Sequence, residues 1–299
     1  MTEPSTTDSS RPVVAVLGLG AMGLPMAARL AESLTVYAFD VVKARIVLAV
    51  EAGAIAAASS AEACKTADVV VIGVRNQGQF ESAMYGSGGA VEGLRSGAIV
   101  LLTSTVGTDV VAASAAQLAE HGIDLLDAPV SGGAVRARAG DSLMMVGASD
   151  DVVARARPVL DLLASTVYVV GSKPGDGQTM KTVNQLLCGI HTAAAGEALA
   201  LAGKLGLDLD TVLEVLGSGA AASFMLGERG PRMVSRLRGD EPELRSRLDV
   251  ISKDMGIVHD LARKVGLATP VATAAEQTYL GMESRGFQAE DDSIVVTGA

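Results

Sequence analysis

The chain has 299 residues, room for about two ordinary domains and enough to bury a core without disulfide or metal staples. Its 34 acidic against 24 basic side chains leave a formal charge of −10, which repels phosphate backbones and anionic lipid, so neither nucleic acid nor a membrane is an expected partner. No uncharged apolar run reaches the ~18 residues of a spanning helix.

The first ten residues, MTEPSTTDSS, lack the basic start and apolar stretch of a signal peptide. Residues 1–11 are expected to form a disordered tail. The next half of the chain alternates short apolar runs with stretches of helical composition. The runs are 13–17 (VVAVL), 34–39 (LTVYAF), 68–73 (DVVVIG), 98–102 (AIVLL), 123–126 (IDLL), 143–146 (LMMV) and 166–170 (TVYVV). Most lack polar alternation, as expected of strands covered on both faces. Residues 21–32 and 108–120 have helical composition, and strand–helix repetition predicts a parallel, doubly wound sheet. The breaker cluster SKPGDG at 172–177 ends this texture. A proline-free, Ala- and Leu-rich helix is predicted from 178 to about 205, roughly 40 Å long at 1.5 Å per residue, enough to cross between domains. Further helices are predicted near 209–216, 223–237, 245–265 and 270–285. The charges at 228–247 are expected to form a solvated face and loop. The predicted fold is therefore α/β, a Rossmann-type doubly wound sheet over 12–173, then an all-helical domain over 174–299 joined by the long helix.

Gly18-Leu19-Gly20-Ala21-Met22-Gly23 lies between the first strand and the first helix. In a G-x-G-x-x-G the first glycine allows the tight turn, the second lets backbone approach a pyrophosphate, and the third lets helix and sheet pack. Amides at the helix start then face the anion. Asp40 ends the second strand, where a carboxylate accepts both ribose hydroxyls and repels a 2′-phosphate. The expected cofactor is therefore NAD rather than NADP, with Arg45 expected to face solvent.

Four segments carry a family resemblance: GLGAMGLPMAARL (18–30), DAPVSGGAV (127–135), GQTMKTVNQLL (177–187) and SKDMGIV (252–258). In this order they resemble the β-hydroxyacid dehydrogenases, the family of 3-hydroxyisobutyrate, tartronate semialdehyde and L-threonate dehydrogenases. QLLCGIHTAAAGEALAL (185–201) and EDDSIV (290–295) are most similar to the L-threonate branch. The resemblance implies an oxidoreductase moving hydride between nicotinamide and the β-carbon of a short hydroxy acid, with Lys181 as its acid–base lysine. Spacing agrees, since Lys181, Asn184, Gln185 and Cys188 share one helical face. Burial and a neighbouring nicotinamide cation would lower the lysine's pKa toward neutrality.

By the same resemblance Ser131, Gly132 and Gly133 grip the substrate carboxylate, with glycine amides as nest-like donors. Ser104 and Thr105 contact the nicotinamide side, Lys253 reaches the cofactor from the helical domain, and Asn184 orients substrate or Lys181. Two positions depart from the pattern. Leu102 replaces an acid usually found two places before Ser104, and residues 222–229 read ASFMLGER where the L-threonate branch has Asn-Ser-Trp-Met-Phe-Glu-Asn-Arg. The lost amide favours a less polar acid.

The scattered His121, His191 and His259 lack metal-ligand spacing, so no metal is expected. No serine-hydrolase elbow or P-loop is present. Two cysteines, Cys64 and Cys188, are too few for a disulfide framework and suit a reducing cytoplasm. The apolar long helix predicts a homodimer or homotetramer. Alternatives are an NADP-dependent semialdehyde reductase, an imine reductase (against which Lys181 speaks), and a non-catalytic dinucleotide sensor.

Overall fold

The computed structural model describes residues 11–298; the tail expected over 1–11 falls, except for Arg11, outside them. The chain divides into two compact units that meet in sequence at Gln178 and Thr179.

In chain order the first unit holds β1 (Val14–Leu17), α1 (Gly23–Ala31), β2 (Val36–Phe39), α2 (Lys43–Glu51), β3 (Ile55–Ala56), α3 (Ser60–Cys64), β4 (Val69–Ile72), α4 (Gln77–Tyr85), α5 (Ala90–Gly93) and β5 (Ile99–Leu102). It continues with α6 (Thr108–Ala119), β6 (Asp124–Asp127), β7 (Val130–Ser131), α7 (Gly133–Ala139), β8 (Ser142–Gly147), α8 (Asp150–Leu163) and β9 (Ala164–Gly171). One sheet runs in the order β3-β2-β1-β4-β5-β6-β8-β7, with β9 also on β8.

The middle of this sheet is wholly apolar because both faces are covered. Val14, Val16, Val69, Val71, Ile99 and Leu101 enter one core with α1 and α8. Ala15, Leu17, Val70, Ile72, Val100 and Leu102 enter a second core, with Phe80 and Leu118 of the opposite helical layer. Period-2 geometry thus divides each continuous apolar run between two layers. Side chains also set the helix starts: Ser59 Oγ accepts from Glu62 N and Asn76 Oδ1 from Gln79 N, satisfying first-turn amides.

The sheet is not wholly parallel as predicted. β8 runs antiparallel to β6 and β7, and parallel to β9. Only residues 132–141 join β7 to β8, fewer than a parallel crossover requires, so the chain doubles back.

The second unit holds most of α9 (Asp176–Lys204), then α10 (Leu209–Ser218), α11 (Phe224–Leu237), α12 (Leu248–Lys264), α13 (Pro270–Ser284) and a 3₁₀ turn (Asp292–Gly298) that residue periodicity had not predicted. Leu199, Met233, Leu248, Met255, Tyr279 and Val295 are among its core residues. Ser223 caps α11 by accepting from Leu226 N, and Pro270 opens α13, where its missing N–H costs nothing. Among the described residues α9 is the one helix long and apolar enough to cross a membrane, with mean hydropathy 1.4 over 18 residues, of which 44% are buried in the protein.

Candidate active site

The β1–β4 boundary is where strand order reverses, the usual ligand position in an open α/β sheet. Gly18 has φ +85°, and a Cβ there would lie 2.7 Å from Gly73 O. A Cβ on Gly23 would fall 1.8 Å from Gly18 O, so glycine is needed for α1 to begin against the strand end. Gly20 is different: a Cβ there meets nothing within 4 Å. Nothing among the described residues requires glycine at that position, whereas close approach of a pyrophosphate would. Leu19, Gly20, Ala21 and Met22 lead into α1, which no side chain caps; Leu24 N donates to Gly20 O at 3.1 Å and Met26 N to Met22 O at 3.2 Å, and Pro25 between them has no N–H.

Asp40 stands directly after β2 and is buried. Its Oδ2 accepts from Leu19 N at 2.6 Å and its Oδ1 from Val42 N at 2.8 Å, which binds the acid to the glycine turn. Arg45, expected in solvent, keeps a half-exposed side chain but brings Nη1 to 3.5 Å from Asp40 Oδ2. This turn, its dipole and its acid fit a dinucleotide.

At the ends of β5 and β6 the polar groups are tightly interlocked. Ser104 Oγ accepts from Val74 N at 2.8 Å and also contacts Ile72 O at 3.3 Å, so the hydroxyl ties β5 to β4. Thr105 follows it, half-buried. Gln178, a residue the sequence reading had not singled out, holds the same segment. Its Oε1 accepts from Val106 N and Gly107 N, and its Nε2 donates to Ser104 O and to Asp127 Oδ1. Asp127 Oδ2 accepts from Gln178 N and Gly175 N. Burial pushes the Asp127 carboxyl up to about 6 against the pull of these donors. Leu102, where the resemblance implied an acid, lies in the apolar core and pairs in register with Asp127 on β6. The Asp in DAPVSGG was the available signal for this latch, but its partners lie about 50 residues away.

Ser131, Gly132 and Gly133 do not form a plain loop. Ser131 ends β7, Gly132 caps α7 at φ +132°, and Gly133 begins α7 at φ +73°. Both positive φ values require glycine. Open space surrounds a Cβ built on Gly133, leaving its backbone approachable.

In the second unit, α9 brings Lys181, Asn184, Gln185 and Cys188 together. Lys181 is 7% exposed. Burial pushes its ammonium pKa down; Asp254 and Cys188 oppose that, while the cations Lys253 and Arg229 reinforce it. Asn184 Nδ2 donates to Gln185 Oε1 at 2.9 Å and to Cys188 Sγ at 3.3 Å. Gln185 Nε2 donates to Asp254 Oδ2 at 2.5 Å, and Lys253 Nζ lies 2.8 Å from Asp254 Oδ1. Asp254, adjacent to Lys253 in SKDMGIV, thus joins α12 to the lysine face of α9.

The charges expected to form a solvated face at 228–247 are in part buried. Arg232 is 7% exposed and bonds Glu228 and Asp291, while Arg229 bonds Glu228 and Asp292. Desolvated guanidinium groups need several acceptors, and the EDDSIV segment supplies them.

Residues 13–171 match the family described as the NAD binding domain of 6-phosphogluconate dehydrogenase. Residues 175–298 match the NAD-binding domain of NADP-dependent 3-hydroxyisobutyrate dehydrogenase. An L-threonate dehydrogenase of Cupriavidus necator is 37% identical, covering 95% of this chain and 94% of that one. The 2-(hydroxymethyl)glutarate dehydrogenase of Eubacterium barkeri is 34% identical, covering 95% and 93%. The crystal structure of a 3-hydroxyisobutyrate dehydrogenase from Salmonella typhimurium has a TM-score of 0.88 at 35% identity, covering 95% of this chain and 99% of that one. With a dinucleotide turn in one unit and a buried lysine in the other, the chain belongs to the β-hydroxyacid dehydrogenase family of NAD(P)-dependent oxidoreductases.

Proposed function

We propose that the protein is an NAD-dependent dehydrogenase of a short L-threonate-like or 3-hydroxyisobutyrate-like hydroxy acid, with Lys181 as general acid–base. The observation that carries this reading is a buried lysine whose pKa is pushed down, on a helix face shared with Asn184, Gln185 and Cys188. NAD, when bound, supplies the hydride acceptor at nicotinamide C4. Neutral Lys181 takes the alcohol proton as the β-carbon releases hydride; in reverse, its ammonium protonates the carbonyl oxygen. Such proton transfer contributes ~10²–10⁴-fold, and positioning supplies much of the rest. Ser131 and the amides of Gly132 and Gly133 hold the carboxylate, and Asn184 orients the substrate or Lys181.

The cofactor is held by Gly18, Leu19, Gly20, Ala21, Met22 and Gly23, with Asp40 on the ribose hydroxyls. Asp40's position at the end of β2 favours NAD over NADP. Ser104 and Thr105 border the nicotinamide, and Lys253 approaches the cofactor from the helical domain. On this reading 12–173 is the dinucleotide domain and 174–299 the substrate and subunit-contact domain. A homodimer or homotetramer is supported by Met180, Val183 and Leu187, an exposed apolar stripe on α9. The net charge of −10 argues against nucleic acid and membrane partners, and two free cysteines suit the cytoplasm.

The test is a substrate screen with NAD⁺ and NADP⁺, run on the wild type and Lys181→Ala. Wild type is expected to reduce NAD⁺ in preference to NADP⁺ on at least one of L-threonate, glycerate and 3-hydroxyisobutyrate. Lys181→Ala should lose at least 10²-fold in turnover while still binding NADH. Near-normal turnover in the variant would remove Lys181 from the chemistry. Tight NADH binding without turnover on any acid would return the chain to the sensor reading.

A further inference from the structure

The carboxamide of Gln178 braces several parts of the first unit at once. The side chain is fully buried. Its Oε1 accepts from Val106 N at 3.0 Å and from Gly107 N at 3.2 Å, and its Nε2 donates to Ser104 O at 3.0 Å and to Asp127 Oδ1 at 2.7 Å. A carboxamide offers two N–H donors and one oxygen with two lone pairs, so these bonds use its whole capacity.

The segment it grips leads from β5 into α6. Gly107 takes the cap position of α6 at φ +94°, and no side chain of α6's own start caps that helix. Gln178 Oε1 reaches the amide of this cap residue and that of Val106 before it. Ser104 is held from another direction too, its Oγ accepting from Val74 N at 2.8 Å. At the other end of the brace, Gly175 N and Gln178 N both converge on Asp127 Oδ2. A Cβ on Gly177 would lie 2.5 Å from Met145 O. The start of α9 is therefore fixed against β6 and β8. Lys181 belongs to the next turn of the same helix, ~4.5 Å along its axis from Gln178.

We propose that Gln178 is a positioning residue for hydride transfer. Its carboxamide holds Ser104 to Gly107 in the conformation that borders the nicotinamide, and its backbone anchors the start of the helix that carries Lys181. Ordering a loop loses conformational entropy, whereas a misplacement of ~1 Å near reacting atoms can cost ~10²-fold in rate. A brace at the carboxyl end of β5, where an open α/β sheet binds its ligand, accepts the first loss to prevent the second.

This inference rests on the proposed hydroxy-acid dehydrogenase activity, and a binding comparison separates the two. Its probes are NADH and ADP-ribose, which shares every part of the cofactor except the nicotinamide. Gln178→Met keeps the side-chain length and removes all four bonds of the carboxamide. It should weaken NADH at least fivefold and leave ADP-ribose within twofold. With NAD⁺ and the acid that wild type oxidises fastest, its kcat should fall at least tenfold, while the KM for the acid changes less than threefold. Gln178→Glu keeps the acceptor for Val106 and Gly107 but sets a carboxylate against Asp127, and should show the same selective loss. Adding Asp127→Asn to it restores a donor–acceptor pair of the original charge and should recover at least threefold in NADH affinity. The glutamate variants carry the comparison should Gln178→Met fail to fold. Equal loss of NADH and ADP-ribose affinity would make Gln178 a purely structural residue and overturn the proposal. Unchanged NADH affinity in a folded variant overturns it as well, as does a folded double variant no better than Gln178→Glu. Failure of wild type to oxidise any acid sinks the dehydrogenase reading, while the NADH and ADP-ribose comparison still decides the role of Gln178.

Discussion

On the proposed mechanism Lys181 needs opposite protonation states in the two directions of the reaction, and burial sets where they interchange. An ammonium without full hydration loses stability relative to the neutral amine, so its pKa falls below the ordinary lysine value. Oxidation requires the amine to accept a proton, so its rate should rise with pH until Lys181 is neutral and then level. Reduction requires the ammonium, so its rate should fall through the same pKa. Measuring kcat/KM against pH in both directions should give opposite limbs with one shared inflection below 10.5. Parallel limbs would assign the proton to another group. Asp254 tempers this shift: its carboxylate attracts the ammonium, and its bonds to Gln185 and Lys253 hold it in place.

The glycine turn gives each glycine a different physical task, and substitution separates them. Gly23→Ala forces a Cβ to 1.8 Å from Gly18 O. Backbone on both sides must then yield, at a cost of about 1–3 kcal/mol or more by analogy with overpacked cores. Gly20→Ala meets no protein atom, so its effect on stability should stay within ~0.5 kcal/mol, as for other surface changes. Urea melts and NADH titrations of both variants make the comparison. Gly20→Ala should bind NADH more weakly at nearly native stability, whereas Gly23→Ala should lose both; equal NADH affinity in Gly20→Ala and wild type would remove the pyrophosphate from that turn. This turn was legible in sequence because its three glycines fall within six residues, even though Gly73 O and Asp40 close on it from farther along the chain. The central strands were legible for a similar reason, since double-sided burial leaves an unbroken apolar run. The return of β8 beside β6 and β7 was not, because strand direction depends on connection length as well as composition. The Asp127–Gln178 latch and the Arg229–Asp292 pair join residues far apart in the chain. Periodicity carries no trace of such pairings, and charged residues on α11 read like any solvated face until the C-terminal segment folds onto them.

At the scale of the whole molecule, two compact units with separate cores carry buried acids shifted in opposite directions. Burial raises Asp127, in the first unit, to about 6, so the folded state holds its proton more firmly than the unfolded chain. Its contribution therefore weakens as pH rises from about 4 to about 6 and is constant above that. Asp291, in the second unit, is lowered to about 2 by backbone donors at Arg245 and Ser246 together with Ser293 and Arg232, which outweigh its burial. Its contribution is complete above the unfolded value near 3.9 and is lost as pH falls toward 2. Asp292 is pushed upward by burial and works the other way, so a variant is needed to isolate Asp291. Asp291→Asn should lower the melting temperature at pH 7, and its difference from wild type should shrink steadily between pH 4 and pH 2. Calorimetric scans of both proteins from pH 7 downward measure this directly. A difference that stays constant to pH 2 would mean that Asp291 contributes through shape alone, and that its ion pair with Arg232 adds nothing to the stability of the helical unit.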